Sequence, residues 1–118
     1  MIYQGELIVV KIIQGEKQTV TIELTSQKSG NKFDLTGATE IVVCFVAGTT
    51  VIQKLLSLSE VTVVSALNGE ITADLLVADT DTLPATTDGK VEVQVTFGAG
   101  DVRKAQILNA FTVAAKFC

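Results

Sequence analysis

The sequence predicts an all-β fold, one antiparallel sandwich of short strands occupying residues 1–118. Three observations carry that reading. Forty of the 118 residues are Val, Ile or Thr, whose branched Cβ suits a pleated, half-buried surface better than a helix. Turn residues recur roughly every 8 to 12 positions, the spacing of a β-sandwich or barrel. No window places apolar residues at i, i+3 and i+4 over about ten positions, as an amphipathic helix requires. At 47% hydrophobic and 19% charged residues, the composition is far from that of a disordered chain. A chain of this length buries roughly two thirds of its unfolded surface on folding, enough for a core of its own.

The elements follow in order. Residues 7–13 read as one strand, apolar on both faces, before Gln14-Gly15-Glu16-Lys17 turns the chain. Val20, Ile22 and Leu24 alternate with Thr21, Glu23 and Thr25, a period of two that buries one face. Ser29-Gly30-Asn31-Lys32 is a loop, and Ile41-Val42-Val43-Cys44-Phe45-Val46 is the most continuously apolar strand, ended by Gly48. Residues 50–56 and 60–65 supply two more strands. Asn68-Gly69 predicts a type I′ hairpin turn, with positive φ at both residues, joining 61–64 to 71–75. Asp79 is placed to cap a single helical turn that Pro84 ends. Thr87-Asp88-Gly89 is a turn. Val91, Val93, Val95 and Phe97 then alternate with Lys90, Glu92, Gln94 and Thr96. Gly98-Ala99-Gly100-Asp101 reverses the chain into a last long strand over 102–113, with a break near Asn109.

Charge and side-chain inventory exclude several functions. The net charge is −4 with nine Lys and Arg, and Arg103-Lys104 is the closest approach to a basic cluster, so nucleic-acid binding is not expected. The N-terminus lacks a basic region and a cleavage site. The longest apolar stretch is interrupted by Lys11 and is too short to span a bilayer, so neither export by an ordinary signal nor membrane insertion is expected. With no His in the chain, the common nucleophilic triads cannot be assembled. Glu23, Glu92 and Asp74 fall on solvent faces of strands, and one Tyr with no Trp leaves little on which to stack a sugar. Asp74, Asp79, Asp81 and Asp88 gather locally, but Leu83-Pro84 follows where a calcium loop would continue; a capped, solvated turn is the expectation. Gly98-Ala99-Gly100 lacks the strand-to-helix setting of a phosphate loop. Cys44 reads as a small core hydrophobe and Cys118 as a reduced terminal thiol. The expectation is no enzyme, no cofactor and no metal.

The run Lys32-Phe33-Asp34-Leu35-Thr36-Gly37-Ala38-Thr39, followed by Ile41-Val42-Val43-Cys44-Phe45, resembles the immunoglobulin-like N-terminal domain of phage baseplate upper proteins and related tail components. Asn68-Gly69-Glu70-Ile71 is similar to that family's entry to its next strand. The loop 78–83 then precedes Gly89 and the 91–97 strand in the same order. The resemblance covers residues 16–113. It implies an immunoglobulin-like antiparallel β-sandwich of about seven to nine short strands and a non-enzymatic structural role in a tailed-phage or prophage virion, made in the host cytoplasm. The family continues into a trimerising portion, whereas this sequence ends at Cys118, which makes an adaptor, decoration or small tail component the expected role.

The residues themselves point to assembly through the two terminal strands. Leu7, Val9 and Ile12, together with Val113 and Phe117, are the expected contacts with other virion proteins or with copies of the chain in a homo-oligomer. The alternative is a host-recognition or adhesion module that binds a glycan or surface protein through loops 27–31, 48–50 and 86–89.

Overall fold

The computed structural model describes residues 3–7, 11–26, 33–98 and 100–114. The chain opens with β1 (Tyr3–Leu7) and β2 (Lys11–Ile13), then β3 (Gln18–Ser26), β4 (Glu40–Ala47) and β5 (Thr50–Leu55). A 3₁₀ turn over Leu56–Leu58 leads to β6 (Val61–Ser65) and β7 (Glu70–Leu75). A one-and-a-half-turn helix, α1 (Val77–Thr82), precedes β8 (Thr86–Phe97) and β9 (Asp101–Ala114). Hydrogen bonds order the strands β5-β4-β8-β9-β1-β3-β7-β6, with β2 also on β9. Among the described residues, the join between β9 and β1 is a single residue pair, Tyr3 with Ala105. The ladder therefore divides into two sheets, β1-β3-β7-β6 and β5-β4-β8-β9 with β2 beside β9, that fold over one core. This is an immunoglobulin-like order, and the all-β sandwich expected from the sequence is what the chain forms.

The single strand expected over residues 7–13 is instead two strands serving different sheets. β1 runs antiparallel to β3, with Leu7 opposite Ile22. β2 runs parallel to β9, with Ile12 opposite Val113. Apolar residues at successive positions make this transfer possible, because an apolar side chain is available for an inward position in either sheet.

Alternation elsewhere fills the space between the sheets. From β3 come Val20, Ile22 and Leu24; from β7, Ile71, Ala73 and Leu75; from β4, Ile41, Val43, Phe45 and Ala47; from β8, Val91, Val93 and Val95. All are buried. β4, the most continuously apolar strand in the sequence, alternates as well, its outward residues staying half-buried. Antibody domains centre their core on an inter-sheet disulfide and a Trp. In this chain Phe45 and Phe111 meet edge to face at 6.0 Å, in the arrangement aromatic quadrupoles favour.

Two glycines decide local geometry. Ser59, ahead of β6, is the one non-glycine residue at positive φ among the described residues, so Asn68, between β6 and β7, does not adopt the type I′ conformation. The connection is a longer turn closed by the Gly69 N–H on the Ala66 carbonyl at 3.3 Å. Gly69 is needed for proximity: at φ +65°, a methyl group there would lie 2.6 Å from the carbonyl oxygens of both Leu24 and Phe33. Residues 87–89, expected as a turn, lie within β8. Gly89 faces Phe111, and a methyl on it would run into that ring. The sequence shows a turn-like Asp-Gly, but what the glycine supplies is room for the aromatic ring. Beyond it the register slips: Val91 pairs with Ile107 and Gly89 with Phe111, so β9 carries extra residues around the Asn109 position where a break was expected.

Candidate functional site

The two outer faces differ sharply in chemistry. On β3 and β7 the outward positions are Thr19, Thr21, Glu23, Thr25, Glu70, Thr72 and Asp74. The Thr19 hydroxyl donates to Asp74 at 2.9 Å. Opposite-facing residues on β5, β4, β8 and β9 form cross-strand rows on the other sheet. Val51 lies beside Val46 and Lys90, Gln53 beside Cys44 and Glu92, and Leu55 beside Val42, Gln94 and Lys104. Glu40, Thr96 and Val102 make the last row. Val51 is 56% exposed and Val102 44% exposed. This face has an apolar centre on β4 and β5 flanked by both signs of charge on β8 and β9. It is the candidate interaction surface, because a mixed apolar and polar patch on a sheet face is what protein partners cover.

Two of the residues expected to make contacts, Ile12 and Val113, fall elsewhere. Ile12 and Val113 pair with each other across β2 and β9 and are 1% and 4% exposed. Neither offers a side chain to a neighbour, because the alternation that places them inward spends them on the chain's own core. Leu7 ends β1 opposite Ile22; Val9 and Phe117 lie outside the described residues. The sequence did carry a signal for Val42, Cys44 and Val46. A strand apolar at every position must present apolar groups on its outer face when its sheet has only one packed side.

Ligand-type side chains do not converge. Among the described residues no group of three Asp, Glu, Cys or His has metal-binding geometry. Asp79 is engaged from two sides: its carboxylate accepts the Leu76 backbone N–H at 2.8 Å and meets Lys54 Nζ at 2.6 Å. It therefore caps α1 from the third helical position, with Leu76 as the capping residue. Lys54 is 4% exposed and also approaches Glu60 at 3.6 Å. Buried Thr80 donates to the Glu16 carbonyl at 2.9 Å, and the Gln14 amide donates to the Leu83 carbonyl at 2.7 Å. Together these tie α1 to the turn before β3. Asp74 stays on the other sheet, and the side chain of Asp88 lies outside the described residues. Glu23 and Asp74 share one outer face while Glu92 stands on the opposite sheet, so these carboxylates do not flank a common cleft.

Cys44 sits in the middle of the apolar rows. Burial pushes its thiol above the ordinary range; the Gln53 amide opposes that in part, and the Glu92 carboxylate adds a smaller push in the same direction as burial. A protonated thiol is a poor nucleophile, so this position acts as a small apolar group. In the Leu35-Thr36-Gly37 segment, the Asp34 carboxylate accepts the Thr36 hydroxyl at 2.6 Å and the Thr36 N–H at 2.9 Å. Both bonds hold it below the usual Asp range, the hydroxyl more strongly. Phe33 and Leu35 on either side are buried, so the segment is a closed turn with two hydrophobic anchors.

No protein-family profile matches the chain, and no curated protein does. A chain from the solved structure of the "structural basis of T cell specificity and activation by the bacterial superantigen toxic shock syndrome toxin-1" is similar in fold. The TM-score is 0.49 and the identity 8%, over 95% of this chain and 98% of that one. At that level the likeness says nothing of what either chain binds.

Proposed function

We propose that this chain is a non-enzymatic structural component of a tailed-phage or prophage virion, a baseplate, tail or other adaptor that acts by protein–protein assembly. The observation that carries the reading is the outer face of β5, β4, β8 and β9, where Val42, Cys44, Val46, Val51 and Val102 form apolar rows beside Lys90, Glu92 and Lys104. Covering such a face removes apolar area from water, at about 25 cal/mol per Å², and the flanking charges select the partner. The Phe33–Thr39 segment that resembles the phage family supports the same reading by its construction, a closed turn anchored in the core. Its partners are other virion proteins or further copies of the chain.

The test uses particles from the bacterium that carries the gene. An antibody to the chain should detect it in gradient-purified virions, and Val46→Asp with Val51→Asp should abolish incorporation while the isolated variant keeps its circular dichroism. Absence from purified particles overturns the virion role. Normal incorporation of the folded double variant overturns the assignment of this face. Binding to host cells that survives the double variant but is lost on substitution of residues 48–50 would favour a recognition module working through its loops.

A further inference from the structure

Strand β5 is an edge. Among the described residues it pairs with β4 alone, so one row of its backbone N–H and C=O groups faces outward, a template for strand addition. Its central residues are compatible with a partner strand: Val51 and Gln53 are exposed. At the far end the edge is closed in an unusual way. The Leu55 N–H donates to the Glu60 carboxylate at 3.2 Å, and the Leu55 carbonyl accepts the Glu60 N–H at 3.1 Å. Glu60 thereby takes both backbone groups that a new strand would need at that residue. Its own carbonyl accepts the Asp74 N–H at 3.1 Å, anchoring the closure to the opposite sheet.

Lys54 holds this arrangement in place. It faces inward, paired across the ladder with buried Val43, at a position where alternation calls for an apolar side chain. Its ammonium bridges Glu60 at 3.6 Å and Asp79 at 2.6 Å. An inward-pointing charge on an edge strand is a known defence against edge-to-edge pairing, because a strand that shifts or opens must expose or strand that charge. The neighbouring edge strand β6 is short and has a register shift between Val63 and Ser65, a second device of the same kind.

We propose that the Lys54–Glu60–Asp79 cluster is a lock that prevents a second copy of this chain from adding its own β5 to this edge. The geometry of the forbidden pairing is specific. Two β5 strands related by a two-fold axis at Gln53 would pair antiparallel, Val51 of one copy with Leu55 of the other, twice. Glu60 occupies the Leu55 groups in each copy, so the lock removes both ends of that ladder. The proposal is independent of the virion reading, and it directs any assembly to the sheet face instead of the edge.

Two variants release the lock by different routes. Lys54→Met keeps the volume and removes the charge; Glu60→Ala frees the Leu55 N–H, while the Leu55 carbonyl stays on the backbone N–H of residue 60, and leaves Lys54 with Asp79. Light scattering from micromolar to hundreds of micromolar should show each variant at twice the wild-type mass at high concentration. Amide exchange should slow at Val51, Gln53 and Leu55 in step with that association. Adding Val51→Lys, a charge on the outer face of the edge, should return both variants to the wild-type mass. Folded variants with wild-type mass and unchanged exchange at 51–55 overturn the proposal. So does association that Val51→Lys fails to reverse, since that would mark general unfolding. If Lys54→Met does not fold, Glu60→Ala alone decides.

Discussion

Replacing Gly69 by Ala tests a close approach of this turn to the backbone at Leu24 and Phe33. Two costs separate cleanly. The first is conformational: φ is +65°, and a left-handed residue with a Cβ costs about 1–2 kcal/mol. The second is steric. The new methyl would lie 2.6 Å from the Leu24 and Phe33 carbonyl oxygens, which are backbone atoms and cannot rotate aside. Relief requires lengthening the bonds that hold them, the Leu24 N–H on the Gly69 carbonyl at 2.9 Å and the Phe33 N–H on the Leu24 carbonyl at 3.0 Å, each worth about 0.5–1.5 kcal/mol net. The total is about 2–5 kcal/mol out of a stability on the order of 5–15 kcal/mol. With a urea m-value of about 2 kcal/mol/M, the middle of the usual range, the unfolding midpoint should fall by roughly 1–2.5 M. Gly37→Ala is the control, because Gly37 has φ +86° with nothing within 4 Å of the added methyl. It carries the first cost alone, about 1–2 kcal/mol. If the two variants unfold at the same urea concentration with the same m-value, the close approach of Gly69 to β3 is refuted.

Three further predictions follow from single contacts. Gly89→Ala drives a methyl into the Phe111 ring and should cost about 1–3 kcal/mol; Phe111→Leu in the same chain should recover part of it, and strict additivity in a double-mutant cycle would contradict the contact. In a Cys118→Ser background, Cys44 should alkylate slowly at neutral pH and accelerate only above the ordinary thiol range, with Glu92→Gln moving the onset down. Because the folded thiol keeps its proton where the unfolded one loses it, this group also makes stability fall as pH rises through the unfolded thiol value; fast alkylation at neutral pH would refute the assignment. For Asp34 the sign is reversed. Its lowered value contributes stability present above the ordinary Asp range and lost as pH falls through the folded value, and Thr36→Val should raise the Asp34 value in an NMR titration, whereas no change would show that the hydroxyl bond is absent.

Most strand positions were legible because alternation is a local property. Val20, Ile22 and Leu24 declare one buried face, and so do Val91, Val93 and Val95, whatever the rest of the chain does. The helical turn at 77–82 was legible from Asp79 and Pro84, although the capping role shifted from the first position to the third once Lys54 drew the carboxylate inward. Gly69 and Gly89 were misread for a shared reason. Glycine in Asn-Gly or Asp-Gly signals backbone freedom in sequence, while in the structure each one makes room for a group far away in the chain: the Leu24 and Phe33 carbonyls, and the Phe111 ring.

The interaction surface shows the same division. Composition and period alone determined an all-β chain, its strand spacing, its apolar β4 and a side-chain set without histidine. Which face of β4 meets water, which strand closes the edge, and that Ile12 and Val113 meet inside the core depend on how strands 40 to 100 residues apart pair. Pairing at that separation is set by the summed packing of both sheets. No local window contains that sum, so only the tertiary structure could place Val51 outside and Lys54 inside on the same six-residue strand.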